Sequence, residues 1–600
     1  MHRAARFSLN LRLSFRAIHD VKSFSSSSSF YGLKRDITLK ESYLHGSTSI
    51  PLVGKTIGVA LQDSVEKFPD RDAFVYGTEG SRQTYRQLLD EVDRFAAGLM
   101  AAGIKKGDRV GIWGPNIKEW ILTQFACARI GAILVNVNPA YRVEETVYAL
   151  KMVGMKAIVA PPSFKTQDYY GILKEICPEL ETGKAGNLRS ERLPDLKTVV
   201  ITGTENLKGT YNFDDVMEMG QDKRHDIEKL CQDLQFDEGI NIQFTSGTTG
   251  RPKGTLLSHH GILNNSYFCG LHFGLDEEGV VLSCPLPLYH VGGMVCGSLA
   301  AIVHGVTCTL PSPTFEPEAL LKSVQDEKCT SFLGVPTVYF DSLNHPDFEK
   351  YDTSTVRHCG IGGAPCPEEL LKLLQNKLNV TPMVVFGMTE AGPITNATRP
   401  EDRKEIILTT SGKPFDHVEV KVIDPQTKKI LPVGERGEVC MRSYGVMKGY
   451  WNDPEKTKEV LRDGWMHSGD LGMMDAEGNL SIVGRIKELI IRGAVNIFPA
   501  EIEEFIYKHP KVENVQIVGV PDERMGEELC ACIKLKQGET SNAEEIKEFC
   551  KGQIAHFKIP RYVEFVESFP LTVSLKVQKF ALQEMMANKL DLSKREEQAT

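Results

Sequence analysis

No two cysteines stand at C-x-x-C spacing, although the chain has 14 of them, and only Cys530 and Cys532 lie close together. Cysteines scattered through 600 residues read as reduced core thiols, which sets aside a disulfide scaffold and leaves a zinc centre without clustered ligands. A basic excess is missing as well: 70 Lys and Arg face 79 Asp and Glu, for a net charge of −9 and a pI of about 6.0. Nucleic acid is therefore not an expected partner, because binding a phosphate backbone needs a surplus of cations. Nor is there an unbroken apolar run. The uncharged stretch from Val280 to Phe315 is interrupted by Pro285, Pro287, His290, Gly292, Gly293 and His304, so it reads as buried core and no transmembrane segment is expected.

Several familiar motifs are absent. The stretch FTSGTTGRPKG, Phe244 to Gly254, is rich in glycine and hydroxyls, yet Pro252 stands where a Walker A loop needs its second glycine and Gly254 follows Lys253. VGKT, Val53 to Thr56, has Ser49 in place of the first glycine, and GIGGAP, from Gly360, has Pro365 where a dinucleotide fingerprint needs glycine. Neither G-x-S-x-G nor H-E-x-x-H occurs, which weakens serine-hydrolase and zinc-protease readings.

The composition that is present, 41% hydrophobic and 25% charged, belongs to a globular chain too long for one core. Its start differs from the rest. Arg3, Arg6, Arg12, Arg16 and Lys22, a run from Ser25 to Ser29 and no acid before Asp20 are the composition of a mitochondrial transit peptide, so residues 1–42 are set apart as leader. From about Tyr43 to Gly484 strand-like and helix-like runs alternate, as in RVGIWG, IKEWILTQFACARIGA and ILVNVNP, which predicts parallel βαβ units. After Gly484 the texture changes to a short amphipathic helix in FPAEIEEFIYKHP, strands in VENVQIVGV and LCACIKLK, and a helix in EEIKEFCKGQI. The expected architecture is α/β: a large layered α/β N-terminal domain, residues 43–484, followed by a small mobile α+β C-terminal domain, residues 485–592, and a polar tail, 593–600.

The decisive signal is a set. TSGTTGRPKG, GGAP, FGMTE, GYW, HSGDLG, GRIKELI and the lysine in LTVSLKVQK stand in this order and resemble the AMP-forming acyl-CoA synthetases of the adenylate-forming superfamily, from about Tyr43 to Leu592, most closely the mitochondrial medium-chain branch. The resemblance implies a fatty acid–CoA ligase of the mitochondrial matrix. Such an enzyme uses ATP and Mg²⁺, forms an acyl-adenylate with loss of pyrophosphate and passes the acyl group to coenzyme A. It also implies roles. Thr245, Ser246, Gly247, Thr248, Thr249, Gly250, Arg251, Pro252 and Lys253 would hold the ATP phosphates, with Gly362, Gly363, Ala364 and Pro365 beside adenine. Phe386 and Gly387 lead to Thr389 near the α-phosphate and to Glu390 as Mg²⁺ ligand. Asp470 and Arg485 would serve the ribose, His290 the gate between ATP and acyl pockets, Lys576 the adenylation step and Lys487 the hinge. Arg492, Gly493, Ala494 and Val495 would line the side from which coenzyme A approaches.

Two departures from the family pattern bear on rate. Leu575 precedes the lysine where the family has glycine, and Ala494–Val495 replaces Gly–Glu; slower adenylation and altered thioester formation are the expectation. The competing readings are a catalytically impaired ATP- and acyl-binding relative, and an adenylating enzyme with an acceptor other than coenzyme A. Retention of Lys576 favours the ligase. Chain length of the acid and oligomeric state are not legible.

Overall fold

The computed structural model describes residues 38–245, 252–493, 495–572 and 576–592. The expected leader falls outside these apart from its last residues. Those belong to the fold: Leu39 donates its N–H to Ala476, Ser42 is fully buried with its hydroxyl on the Pro432 carbonyl at 2.9 Å, and Tyr43–His45 pairs antiparallel with Glu419–Ile423.

Two parallel-rich sheets carry the large domain. In the first, of eight strands, Arg109–Trp113, Ile133–Val137, Ala157–Ala160 and Thr198–Ile201 run parallel beside Gly239–Thr245. Ile133–Val137 is buried at every position, the signature of a strand covered on both faces. The helix before it, Lys118–Ile130, is buried from Trp120 onward and ends on Gly131 at φ 69°, a left-handed cap that a side chain would resist. The second sheet, of nine strands, includes Val281–Ser283, Ser331–Gly334, His358–Gly362 and Pro382–Phe386, again parallel.

The expectation of parallel units as far as Gly484 needs correcting. The strands Glu419–Ile423, Gly437–Arg442, Trp465–Met474 and Leu480–Arg485 form an antiparallel third sheet. The one helix among them, Pro454–Val460, is seven residues long, whereas parallel neighbours need a crossover of a dozen or more residues between each pair of strands.

The small domain has its own five-stranded sheet, built around the long pair Val512–Asp522 and Gly526–Leu535 and flanked by helices Pro499–Ile506 and Ala543–Cys550. Among the described residues its apolar clusters draw on positions from Ile490 onward, and those of the large domain on positions up to Ile482. All 14 cysteines are free thiols, and only Cys366 is less than buried. No described helix is long and apolar enough to cross a membrane.

Candidate active site

The site forms where strands of the second sheet end. Strand His358–Gly362 has to finish on glycine, because a Cβ at Gly362 would lie 2.4 Å from the Val385 carbonyl oxygen of the neighbouring strand. Gly363 then turns the chain at φ 78°, and Ala364 and Pro365 follow along the rim. The adjacent strand, Pro382–Phe386, leads through Gly387, whose Cβ would meet the Pro393 oxygen at 2.1 Å, into the turn Thr389–Ala391. That turn holds Thr389 and Glu390 nearly out of solvent, at 8% exposure each.

Glu390 is held by two hydroxyls. Thr245, at the end of its strand, donates from Oγ1 to Glu390 Oε1 at 3.2 Å, and Tyr450 donates to the same oxygen at 3.0 Å. Lys253 begins the returning strand opposite Thr245 and places its ammonium 4.7 Å from the centre of the Tyr450 ring, a cation–π contact. Burial lowers the Lys253 pKa, and the Glu390 charge works against that shift. Ser246 to Arg251, the rest of the expected phosphate loop, lie outside the described residues; Pro252 accepts a hydrogen bond from Tyr148 Oη at 3.3 Å. A buried carboxylate that accepts from two neutral hydroxyls offers one charged oxygen ligand, which suits a Mg²⁺ ion that keeps most of its water and phosphate ligands.

The third sheet supplies the next pair. Asp470 and Arg485 face each other across antiparallel strands, with Arg485 Nε donating to Asp470 Oδ1 at 3.0 Å. Burial raises the Asp470 pKa and Arg485 opposes it. The arginine itself reaches outward, with 61% of its side chain exposed.

Lys576 comes from the small domain. Its loop is pinned by the Lys576 N–H on Thr572 Oγ1 at 3.0 Å, the Thr572 N–H on the Lys576 carbonyl at 2.7 Å, and a bridge between Leu571 and Val577. The side chain lies over Gly363: a Cβ there would sit 3.5 Å from Lys576 Cε and 3.7 Å from Nζ. Burial, then the positive charge of Arg485, push the lysine pKa down, while Asp470 and Glu390 pull it back. His290 feels the same cation. Burial and Lys576 hold its pKa down at about 3, so the ring is neutral, and its Nδ1 accepts the Gly292 N–H at 3.2 Å at the start of a helical run.

Lys253, Gly362, Gly363, Thr389, Glu390, Asp470, Arg485, His290 and Lys576 are therefore gathered by the fold from distant stretches of sequence. Lys487 is exposed in the turn Ile486–Glu488 that follows the Arg485 strand. Arg492 stands apart, donating from Nε to the buried Glu528 at 2.7 Å, beside Gly493 at φ 62° and the exposed Val495. Ala494 and Leu575 lie outside the described residues. Sequence reasoning gave no role to Tyr450, whose GYW triplet was the available signal. It also offered no ligand cluster, whereas the third sheet brings Glu438, Cys440 and His467 together. His467 Nδ1 lies 3.1 Å from Glu438 Oε2 and 3.4 Å from Cys440 Sγ, burial raises the thiol pKa to about 12, and Lys428 stands 3.8 Å from the carboxylate. The trio is already satisfied by hydrogen bonds and a cation.

Comparison with known proteins agrees with this geometry. The AMP-binding enzyme family matches residues 61–451, and the AMP-binding enzyme C-terminal domain matches residues 501–576. The chain is 48% identical over 560 residues to the mitochondrial medium-chain acyl-CoA ligase ACSF2 of Bos taurus, covering 92% of this chain and 91% of the relative. With its counterpart in Danio rerio it is 46% identical over 559 residues, 92% of each. The crystal structure of ATP-bound MatB from Rhodopseudomonas palustris superposes with a TM-score of 0.78 at 27% identity, covering 89% of this chain and 99% of MatB. The chain belongs to the AMP-forming acyl-CoA ligases of the AMP-binding enzyme family.

Proposed function

We propose that this protein joins a medium-chain fatty acid to coenzyme A in the mitochondrial matrix, through an acyl-adenylate. The observation that carries the reading is Lys576 lying over Gly363, within electrostatic reach of Asp470, Arg485 and Glu390. In this reading adenine lies along Gly362 to Pro365, the ribose hydroxyls meet Asp470, and the phosphates run under the segment from Thr245 to Lys253. Mg²⁺ at Glu390 would supply charge neutralisation on the phosphates. Lys576 and Arg485 draw the acid's carboxylate towards the α-phosphate against its own repulsion, which is catalysis by positioning and charge. A carboxylate oxygen bonds to the α-phosphorus, the bond to the β-phosphate oxygen breaks, and pyrophosphate leaves with the electron pair. The thiolate of coenzyme A then bonds to the acyl carbon and AMP departs.

Neutral His290 suits the boundary between nucleotide and acyl pockets, since an uncharged ring costs less to keep against an alkyl chain. For the second step the small domain, residues 485–592, would pivot at Lys487 against residues 43–484 and present Arg492 to Val495 to the incoming thiol. The separate apolar clusters of the two parts support such a pivot. The relatives' names and the arginine-rich, acid-poor start support a mitochondrial address for the chain and a leader within residues 1–42.

The test supplies Mg²⁺ATP, coenzyme A and fatty acids of increasing length, and quantifies AMP and thioester together. Equal yields that peak at intermediate lengths are expected. A peak at short or long acids would overturn the chain-length reading, and AMP without thioester would overturn the choice of acceptor.

A further inference from the structure

Lys579 opens the helix Lys579–Lys589, where a cation faces the positive end of the helix dipole and is normally disfavoured. It is nevertheless drawn inward, with 21% of its side chain exposed, by two carboxylates from other elements. Glu503, in helix Pro499–Ile506, receives the ammonium on Oε1 at 2.7 Å; the same oxygen takes the Ile517 N–H at 2.8 Å, and the residue is only 5% exposed. Glu488, in the turn that carries Lys487, lies 3.6 Å away through Oε2.

The position of this cluster gives it meaning. Among the described residues around Lys576, the bonds already given join Thr572 to Lys576, and the Gln578 N–H on the Pro570 carbonyl at 2.8 Å closes the base of the loop. Those bonds do not reach the turn Ile486–Glu488. Lys579 stands three residues after Lys576 and reaches it.

We propose that Lys579 is a positioning residue for adenylation: by bridging Glu488 and Glu503 it fixes the base of the Lys576 loop to the turn at Lys487, and so sets where the Lys576 ammonium arrives over Gly363. This rests on the roles assigned above to Lys576 and Lys487. A reacting group displaced by about 1 Å loses on the order of 10²-fold in rate. The bridge therefore acts on the first half-reaction, in which Lys576 takes part, and leaves the second alone.

The full chain carrying Lys579→Met tests this, with acid-dependent exchange of pyrophosphate into ATP measured beside thioester formation from supplied acyl-adenylate and coenzyme A. Exchange kcat is expected to fall by about tenfold or more, with the ATP KM and the second half-reaction little changed. Lys579→Arg, which keeps the charge, should restore most of the exchange. Because Lys579→Met leaves Glu503 buried without its partner, the double variant with Glu503→Gln is measured alongside and should show the same split. A parallel loss of both half-reactions with a lowered melting temperature would overturn the proposal, as would unchanged exchange or an arginine no better than methionine. Lys576→Ala separates the underlying reading: if it abolishes exchange while Lys579→Met does not, only the positioning role falls. If Lys576→Ala leaves exchange intact, the role of Lys576 falls and the positioning role with it.

Discussion

Two hydroxyl groups converge on a single oxygen of Glu390, those of Thr245 and Tyr450, while three cations, Lys253, Arg485 and Lys576, stand around the same space. Their charges shape the pH response. The Lys576 pKa is depressed below the ordinary 10.5 by burial and by Arg485, so the neutral form appears at lower pH than for a free lysine. If the charged form is what holds the carboxylate and α-phosphate, kcat/KM for adenylation, which reports the free enzyme, should fall along an alkaline limb that sets in below pH 10.5. Lys576→Arg should move that limb upward, because a guanidinium stays charged. His290, with its pKa near 3, should contribute no acid limb between about pH 5 and 8, where an ordinary histidine titrates. A rate profile with substrate-saturated and dilute arms checks both. At this scale the resemblance picked out residues that the fold brings together, such as Glu390 and Asp470, several of them beside a glycine at a strand end or tight turn, as Gly387 and Gly469 are, whereas Lys576 has no glycine beside it. Tyr450 was missed because a tyrosine beside a glycine says nothing of which carboxylate its hydroxyl will meet. That contact is made by the pairing of Gly449–Tyr450 with Lys253–Ser258, a tertiary choice.

Between elements, few charged contacts among the described residues join the third sheet to the small domain. Arg436, just before the interior strand Gly437–Arg442 of the third sheet, pairs with Glu501 of helix Pro499–Ile506 and lies 5.2 Å from the centre of the Phe498 ring; Lys558 closes on the same carboxylate. With 45% of the Arg436 side chain exposed, such a pair is worth at most about 1 kcal/mol. Arg436→Ala should therefore leave the melting temperature nearly unchanged. It should shift the balance between half-reactions by up to about fivefold, lowering pyrophosphate exchange and raising thioester formation from supplied adenylate. Equal effects on both would show that the contact does not favour the first pose. The parallel strands were legible as short apolar runs between helices. The antiparallel sheet was not, since its edge strand Leu461–Arg462 is two residues long and Gly437–Arg442 is buried at five of six positions, so neither carries a period of two. The π-helical stretch Met294–Leu299 behind His290 has no sequence signature either, because it arises from how the helix packs.

For the molecule as a whole, apolar clusters divided between the two parts predict two cooperative units. Calorimetry should resolve two transitions, with ATP raising the one that belongs to the large domain. At a hundredfold excess over its Kd a ligand adds about 2.7 kcal/mol to the state that binds it. A single transition that ATP moves as one would mean that the charged contacts and the Lys576 loop couple the parts more tightly than their cores suggest.

The order in which the site's residues occur along the chain has a consequence in time. Thr245, Glu390 and Asp470 all leave the ribosome well before Lys576, the residue that closes over Gly363. On the roles proposed above, a nascent chain would hold the nucleotide-facing groups of the large domain before it gains Lys576. Molecules cut or stalled before Lys576 would then be chemically silent, and the reactive adenylate would form only on protein synthesised past that lysine.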